Sequence, residues 1–266
     1  MPGVRLLLLG SMNRKPPINI RRTLRREVGF GCPAPNCGSP YLEWHHFDPP
    51  WRVREHHDPN GMIALCSEHH PKADAGAFTL EQLHQFKKNG AAKREEVRGR
   101  FDWLRNKLLL VAGSCFFYET LIILEFRGSP VIWLRRDEDG YLLLNLRMLT
   151  ISKQSRLWLE DSDWIEKGTP TDFECPPSGK LVHAKYSNGD EIRIEFLELS
   201  SLAEAQKRYP SARVEYWGIQ FPITVVEVLK KVGGTNISFG PNWTRLGGNQ
   251  IKNFFSSHCH CGISIG

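Results

Sequence analysis

The chain has 266 residues, with 41% hydrophobic and 24% charged side chains, ordinary values that exclude a disordered or fibrous protein. Seven cysteines, an odd number partly set among histidines, argue against a secreted disulfide framework and for metal binding in a reducing, cytoplasmic setting. The net charge of +6 is uneven: residues 1–107 hold 18 Lys/Arg against 11 Asp/Glu, residues 108–266 hold 17 against 18, so the first part is expected to meet a polyanion.

In chain order, "VRLLLL" is too short to cross a membrane and lacks a signal-peptide cleavage region, so no membrane association is expected. With the "GSM" that follows, residues 1–11 read as an extended or engineered start, and the fold argument begins at Met12. "NIRRTLRREVGF" places Arg21, Arg22, Arg25 and Arg26 at helical spacing. "YLEWHHF" and "MIALC" read as short strands separated by Pro49, Pro50 and the turn "DPNG". "SEHHPKAD" begins a helical turn, and Thr79 with Gln82 forms a capping box that opens "LEQLHQFKK" and ends at Asn89-Gly90. "AAKREEVRGRFDWLRNKLLL" is expected to be another helix, with Val97, Phe101 and Leu104 on its apolar side.

Beyond about residue 110 come short β-like runs. "RRDEDGY" and "YSNGDE" carry hairpin turn signals, and one helix, "SLAEAQKRY", stops at Pro210. This texture predicts an all-β domain over 108–266, a sandwich or a small solenoid, after a first domain over 12–107 that includes the trailing helices.

Three cysteines and six histidines fall between positions 32 and 70. Cys32 and Cys37, then Cys66 and His69, are two pairs with the spacing of a Cys₃His structural zinc site. Thiolates favour zinc over magnesium; the alternative is that the cysteines are merely small buried residues. His45, His46, His70 and Asp74 remain. His70 and Asp74 are four apart and share a helix face, while His45 and His46 diverge on a strand, so one can bind a metal and the other face a substrate. His56 and His57 read as solvated, "HCHC" at 258–261 as tail packing, and Cys115 and Cys175 as core.

"LEWHHFDP" followed by "IALCSEHHPKAD" resembles the HNH endonucleases, the ββα-metal finger nucleases, in their zinc-stapled form, over about residues 20–90. The resemblance implies an α+β chain: a small ββα-metal domain with a zinc knot, followed by the β-rich domain. It makes His46 the general base and His45 and His70 ligands of a catalytic divalent cation (Mg²⁺, Mn²⁺ or a transition ion), with Asp74 as a further ligand. The family's middle Asn stands five residues before the third cysteine. Here that position is Gly61, with Asn60 beside it, so Asn60, a backbone group or another side chain has to hold the loop. The implied partner is DNA, double-stranded, held by Arg21, Arg22, Arg25, Arg26, Arg52, Arg54 and Lys72 without reading sequence. The β domain is expected to recognise DNA, sense a signal or build a homo-oligomer, and the analogy suggests bacterial defence. The competing expectation is a zinc module that binds DNA or protein without catalysis.

Overall fold

A computed structural model describes residues 12–90, 96–150 and 156–266; the expected start at residues 1–11 lies outside the described residues. The chain is α+β and dominated by strands. It divides into two compact units: Met1–Gly38 with Leu42–Lys93, and Ser39–Tyr41 with Arg94–Gly266. Residues 96–107, expected with the first unit, fold with the second. No helix among the described residues is long and apolar enough to cross a membrane.

The first unit is built on a hairpin. Strand β1 (Leu42–His46) pairs antiparallel with β2 (Met62–Cys66), with Leu42 opposite Cys66 and His46 opposite Met62. Every residue of β2 is buried, which suits an apolar run covered on both faces. Helix α1 (Ile18–Glu27) precedes the hairpin and places Leu24, with Val28 one turn on, in the same core as Met62–Leu65. Helix α2 (His69–Asp74) follows β2 and contributes Ala73.

Helix α3 (Leu80–Gly90) starts at the expected capping box. Thr79 N–H donates to Gln82 Oε1 at 2.8 Å, and Gln82 N–H donates to Thr79 Oγ1 at 3.2 Å. Such a cap contributes about 1 kcal/mol. Lys87 of α3 ion-pairs with Glu27 and donates to the carbonyls of Pro59 (2.6 Å) and Met62 (2.9 Å). One ammonium thereby ties α3 to α1 and to the start of β2.

In the second unit, one sheet runs in the order Cys261–Ile265, Ile122–Phe126, Ser129–Arg136, Leu142–Arg147, Trp158–Glu160, Asp163–Glu166, Val97–Arg100. The other is centred on Glu191–Leu199 against Ile223–Lys231, with Leu108–Ala112 parallel to the latter. Both expected hairpins form, Ser129–Arg136 with Leu142–Arg147 and Leu181–Lys185 with Glu191–Leu199. Gly140 and Gly189 at their bends take φ of 81° and 82°, the left-handed region that glycine enters freely. Helix α4 (Leu202–Arg208) is capped by Ser201, whose Oγ accepts from Glu204 N–H. The two sheets meet through ring contacts of Phe101 with Phe196 and Trp164 with Phe173.

The helix expected over 91–110 is not formed in its described part. Val97–Arg100 is a strand antiparallel to Asp163–Glu166, and Leu108–Ala112 is a buried strand. Val97 and Phe101 are buried while Arg98 and Arg100 are exposed, an alternation of period two that the mixed charge disguises. Pairing with distant strands overrides the local helical preference.

A fragment of residues 96–266 is therefore expected to unfold cooperatively in denaturant. A fragment starting at 108 loses a paired strand and the buried Phe101 ring, and it should be less stable by at least about 3 kcal/mol, the scale of a deleted core aromatic. Equal midpoints for the two fragments would show that Val97–Arg100 belongs elsewhere.

Candidate metal centre

Cys32 and Cys37 sit in the loop after α1, in a tight turn where Cys37 N–H donates to Ala34 O and Gly38 N–H donates to Cys32 O. Cys66 closes β2 and His69 opens α2. The four ligand atoms all lie within 4.8 Å of one another. Cys37 Sγ is 3.7 Å from Cys66 Sγ, and His69 Nδ1 is 3.6 Å from Cys32 Sγ and 3.2 Å from Cys66 Sγ. A tetrahedron with zinc–sulfur bonds of about 2.3 Å has sulfur–sulfur edges of about 3.8 Å, so the set fits a zinc ion. Burial, with the neighbouring Cys66 and Cys37 adding to it, pushes the Cys32 thiol up to about 12. Its thiolate is thus favoured only opposite a cation.

A second cluster gathers His45, His70 and Asp74, again with ligand atoms within 4.8 Å. His45 Nδ1 lies 3.3 Å from Asp74 Oδ1. His70 Nδ1 is 3.7 Å from Asp74 Oδ2 and 3.4 Å from Glu43 Oε2. Burial lowers the His45 pKa and so favours the neutral imidazole; the Asp74 carboxylate partly opposes this. Two imidazoles and a carboxylate suit a divalent ion with open positions.

His46 turns away from this cluster, towards the connection 47–61. It is 3% exposed, and among the described residues neither ring nitrogen makes a hydrogen bond of ordinary geometry, a backbone group of His56 being the nearest approach to one. Its ring lies 4.6 Å from Trp51, 5.3 Å from His56 and 5.9 Å from His57. Burial, reinforced by His56, His57 and Arg14, pushes the imidazole down to about 4; a backbone group of His56 opposes this weakly. His45, His46 and Asp74 line one cleft of about 520 Å³ together with Arg14, Trp51 and Arg52.

Several expected residues are placed differently. Asn60 is exposed, and its backbone N–H donates to Asp58 Oδ1 at 3.0 Å; no described hydrogen bond uses its side chain. Gly61 cannot be anything larger, because an added Cβ would lie 1.8 Å from Asp48 O. Arg25 is 2% exposed, beside Leu24 on the inward face of α1, and is removed from phosphate contact. Arg26, Arg52 and Arg54 are exposed, and Arg21 and Arg22 half-buried. Lys72 is exposed and paired with Glu68 at 2.6 Å. His56 is buried, not solvated, and His57 is half-buried, stacked on Trp51, with Nε2 2.9 Å from Asn13 O.

Glu43, Arg14 and Trp51 were not expected at the site. A signal existed for Glu43: it stands two residues before His45, and positions i and i+2 of a strand share a face. None existed for Arg14. Cys115 and Cys175 are buried as expected, and "HCHC" contributes no metal-ligand group among the described residues.

Compared with protein-family models, curated proteins and solved structures, the chain matches none of them.

Cys32→Ser removes a thiolate from the Cys₃His set. Binding energy at such sites is folding energy, on the order of 10 kcal/mol for zinc-finger peptides. The variant is expected to lose stoichiometric zinc and to melt well below the intact protein, and a strong chelator should act the same way. Unchanged zinc content and melting would remove Cys32 from the site.

Proposed function

We propose that the first unit is a metal-dependent endonuclease of the HNH kind, hydrolysing phosphodiester bonds in DNA. The observation that carries this reading is His46: a buried imidazole, without a hydrogen bond of ordinary geometry among the described residues, in a cleft beside a His–His–Asp cluster. Buried polar atoms are normally hydrogen-bonded, and exceptions call for a reason such as catalysis.

In this reading His45, His70 and Asp74 hold a divalent cation, which when bound supplies positive charge to the developing 3′-oxygen. His46 takes a proton from the attacking water through a free ring nitrogen, and burial keeps that lone pair unprotonated. The water oxygen then bonds to phosphorus as the bond to the 3′-oxygen breaks. Arg14 and Arg52 line the cleft and hold flanking phosphates without reading bases. Cys32, Cys37, Cys66 and His69 would hold a structural zinc ion, which when bound would tie the end of β2 to the start of α2. The β-rich unit recognises DNA, senses a signal or assembles copies of the chain, in keeping with a cytoplasmic role in bacterial defence.

A second reading, a zinc module that binds DNA or a protein without cleaving, is favoured by Gly61 at the family's Asn position and by the exposure of Asn60.

Single-turnover cleavage of a supercoiled plasmid across a metal titration separates the two. His46→Ala should slow cleavage by about 10²–10⁴-fold, the usual contribution of a positioned base, with zinc content and DNA affinity retained. His70→Ala should also lose cleavage, and excess Mn²⁺ should partly restore it; His46→Ala should show no such rescue. No divalent-dependent cleavage by the intact protein, or full activity in His46→Ala, would favour the binding module.

A further inference from the structure

The connection 47–61 joins the two strands of the hairpin, and its inner side forms the wall against which His46 stands. Such a segment needs fastening, since the catalytic geometry of His46 depends on it. The side chain of Asn60, one candidate fastener, makes no described hydrogen bond. His56 does make cross-segment bonds. Asp58 N–H donates to His56 Nδ1 at 3.1 Å, so this nitrogen carries a lone pair. The ring proton is therefore on Nε2, which lies 2.9 Å from Pro49 O and donates to it. One imidazole, 8% exposed, thus bridges the beginning and the end of the connection with both ring nitrogens used.

Two further contacts place this bridge at the site. The His56 ring meets the His46 ring edge to face, with centroids 5.3 Å apart and planes at 87°. Gly61, whose carbonyl accepts from Phe47 N–H (2.9 Å) and Asp48 N–H (3.1 Å), leaves the room that His56 occupies. A Cβ there would come within 2.9 Å of His56 Cε1. The side chain missing at Gly61 and the ring at His56 are complementary.

We propose that His56 is the positioning residue of this site: its neutral imidazole pins Pro49 to Asp58 and holds the wall that orients His46. This rests on His46 acting as the general base. His56 itself touches neither substrate nor metal ligand in this scheme; it acts through His46 and the backbone. Neighbouring His57 does not share the role, because its Nε2 meets Asn13 O rather than a second point on the connection.

The test compares His56→Ala and His56→Gln with the intact protein, measuring single-turnover cleavage rate, KM for DNA, zinc content and melting. A carboxamide offers one acceptor and one donor at nearly the spacing of the two ring nitrogens, so His56→Gln can remake both bonds. Loss of the pin should slow cleavage about 100-fold in His56→Ala, the scale of a small misplacement of a catalytic group, with KM and zinc content unchanged. His56→Gln should recover to within about tenfold of the intact rate. Cleavage by His56→Ala within a few-fold of intact would overturn the proposal while leaving the nuclease reading in place. So would a folded, zinc-loaded His56→Gln that stays as slow as His56→Ala. If His56→Ala does not fold, His56→Gln decides alone: active supports the pin, folded and inactive overturns it. Absence of cleavage by the intact protein would instead bring down the nuclease reading, and the positioning role with it.

Discussion

The antiparallel register of Leu42–His46 against Met62–Cys66 is the constraint on which the first unit depends. At one end Leu42 faces Cys66, next to the Cys₃His set; at the other His46 faces Met62, beside the cleft. Four residue steps at about 3.4 Å each separate these ends by roughly 14 Å. A slip of one residue would turn every side chain to the opposite face, carrying His45 away from His70 and Asp74. The run Met62–Leu65 is fully buried in the core of the unit.

This architecture tolerates local dissatisfaction. Among the described residues, His45, His46 and His57 leave four buried ring nitrogens without a hydrogen bond of ordinary geometry, all on the hairpin or its connection. Burying a polar group unpaired costs about 1–3 kcal/mol, so the surrounding structure has to offset it. Lys87, tied to α1 and to the carbonyls of Pro59 and Met62, and the capping box of α3 supply part of that offset from outside the cleft. The neutral state of His45 and His46 follows from the same burial.

Features of short sequence range were legible. Thr79 and Gln82 announce a helix start because the two bonds of a capping box need only three residues of separation. Asp-Gly and Asn-Gly announce hairpins because the bend needs a residue that accepts positive φ. The two metal-ligand groups were legible from spacing and from the family resemblance. Long-range features were not. Val97–Arg100 looks helical until its partner Asp163–Glu166 is known. Arg25 reads as one of four equivalent arginines, although one face of α1 must turn inward. His56 carries no local mark of burial; its environment depends on Pro49 and Asp58, which the connection brings to it by folding back.

Helix α2 carries ligand groups for both clusters: His69 for the cysteine set and, in the next position, His70, with Asp74 one turn on, for the other. Adjacent helical residues are about 100° apart, and that angle sends neighbours to different clusters. Inserting or deleting one residue between Cys66 and His69 would rotate the rest of α2 by the same angle and misdirect both. Spacing over 66–74 is therefore rigid, while identity is free at Ser67, Glu68, Pro71 and Lys72, all exposed. The exposed stretch 52–55 is the reverse case. It lies between the pinned points Pro49 and His56 and holds no ligand, so changes of length can be absorbed there with both clusters left in place.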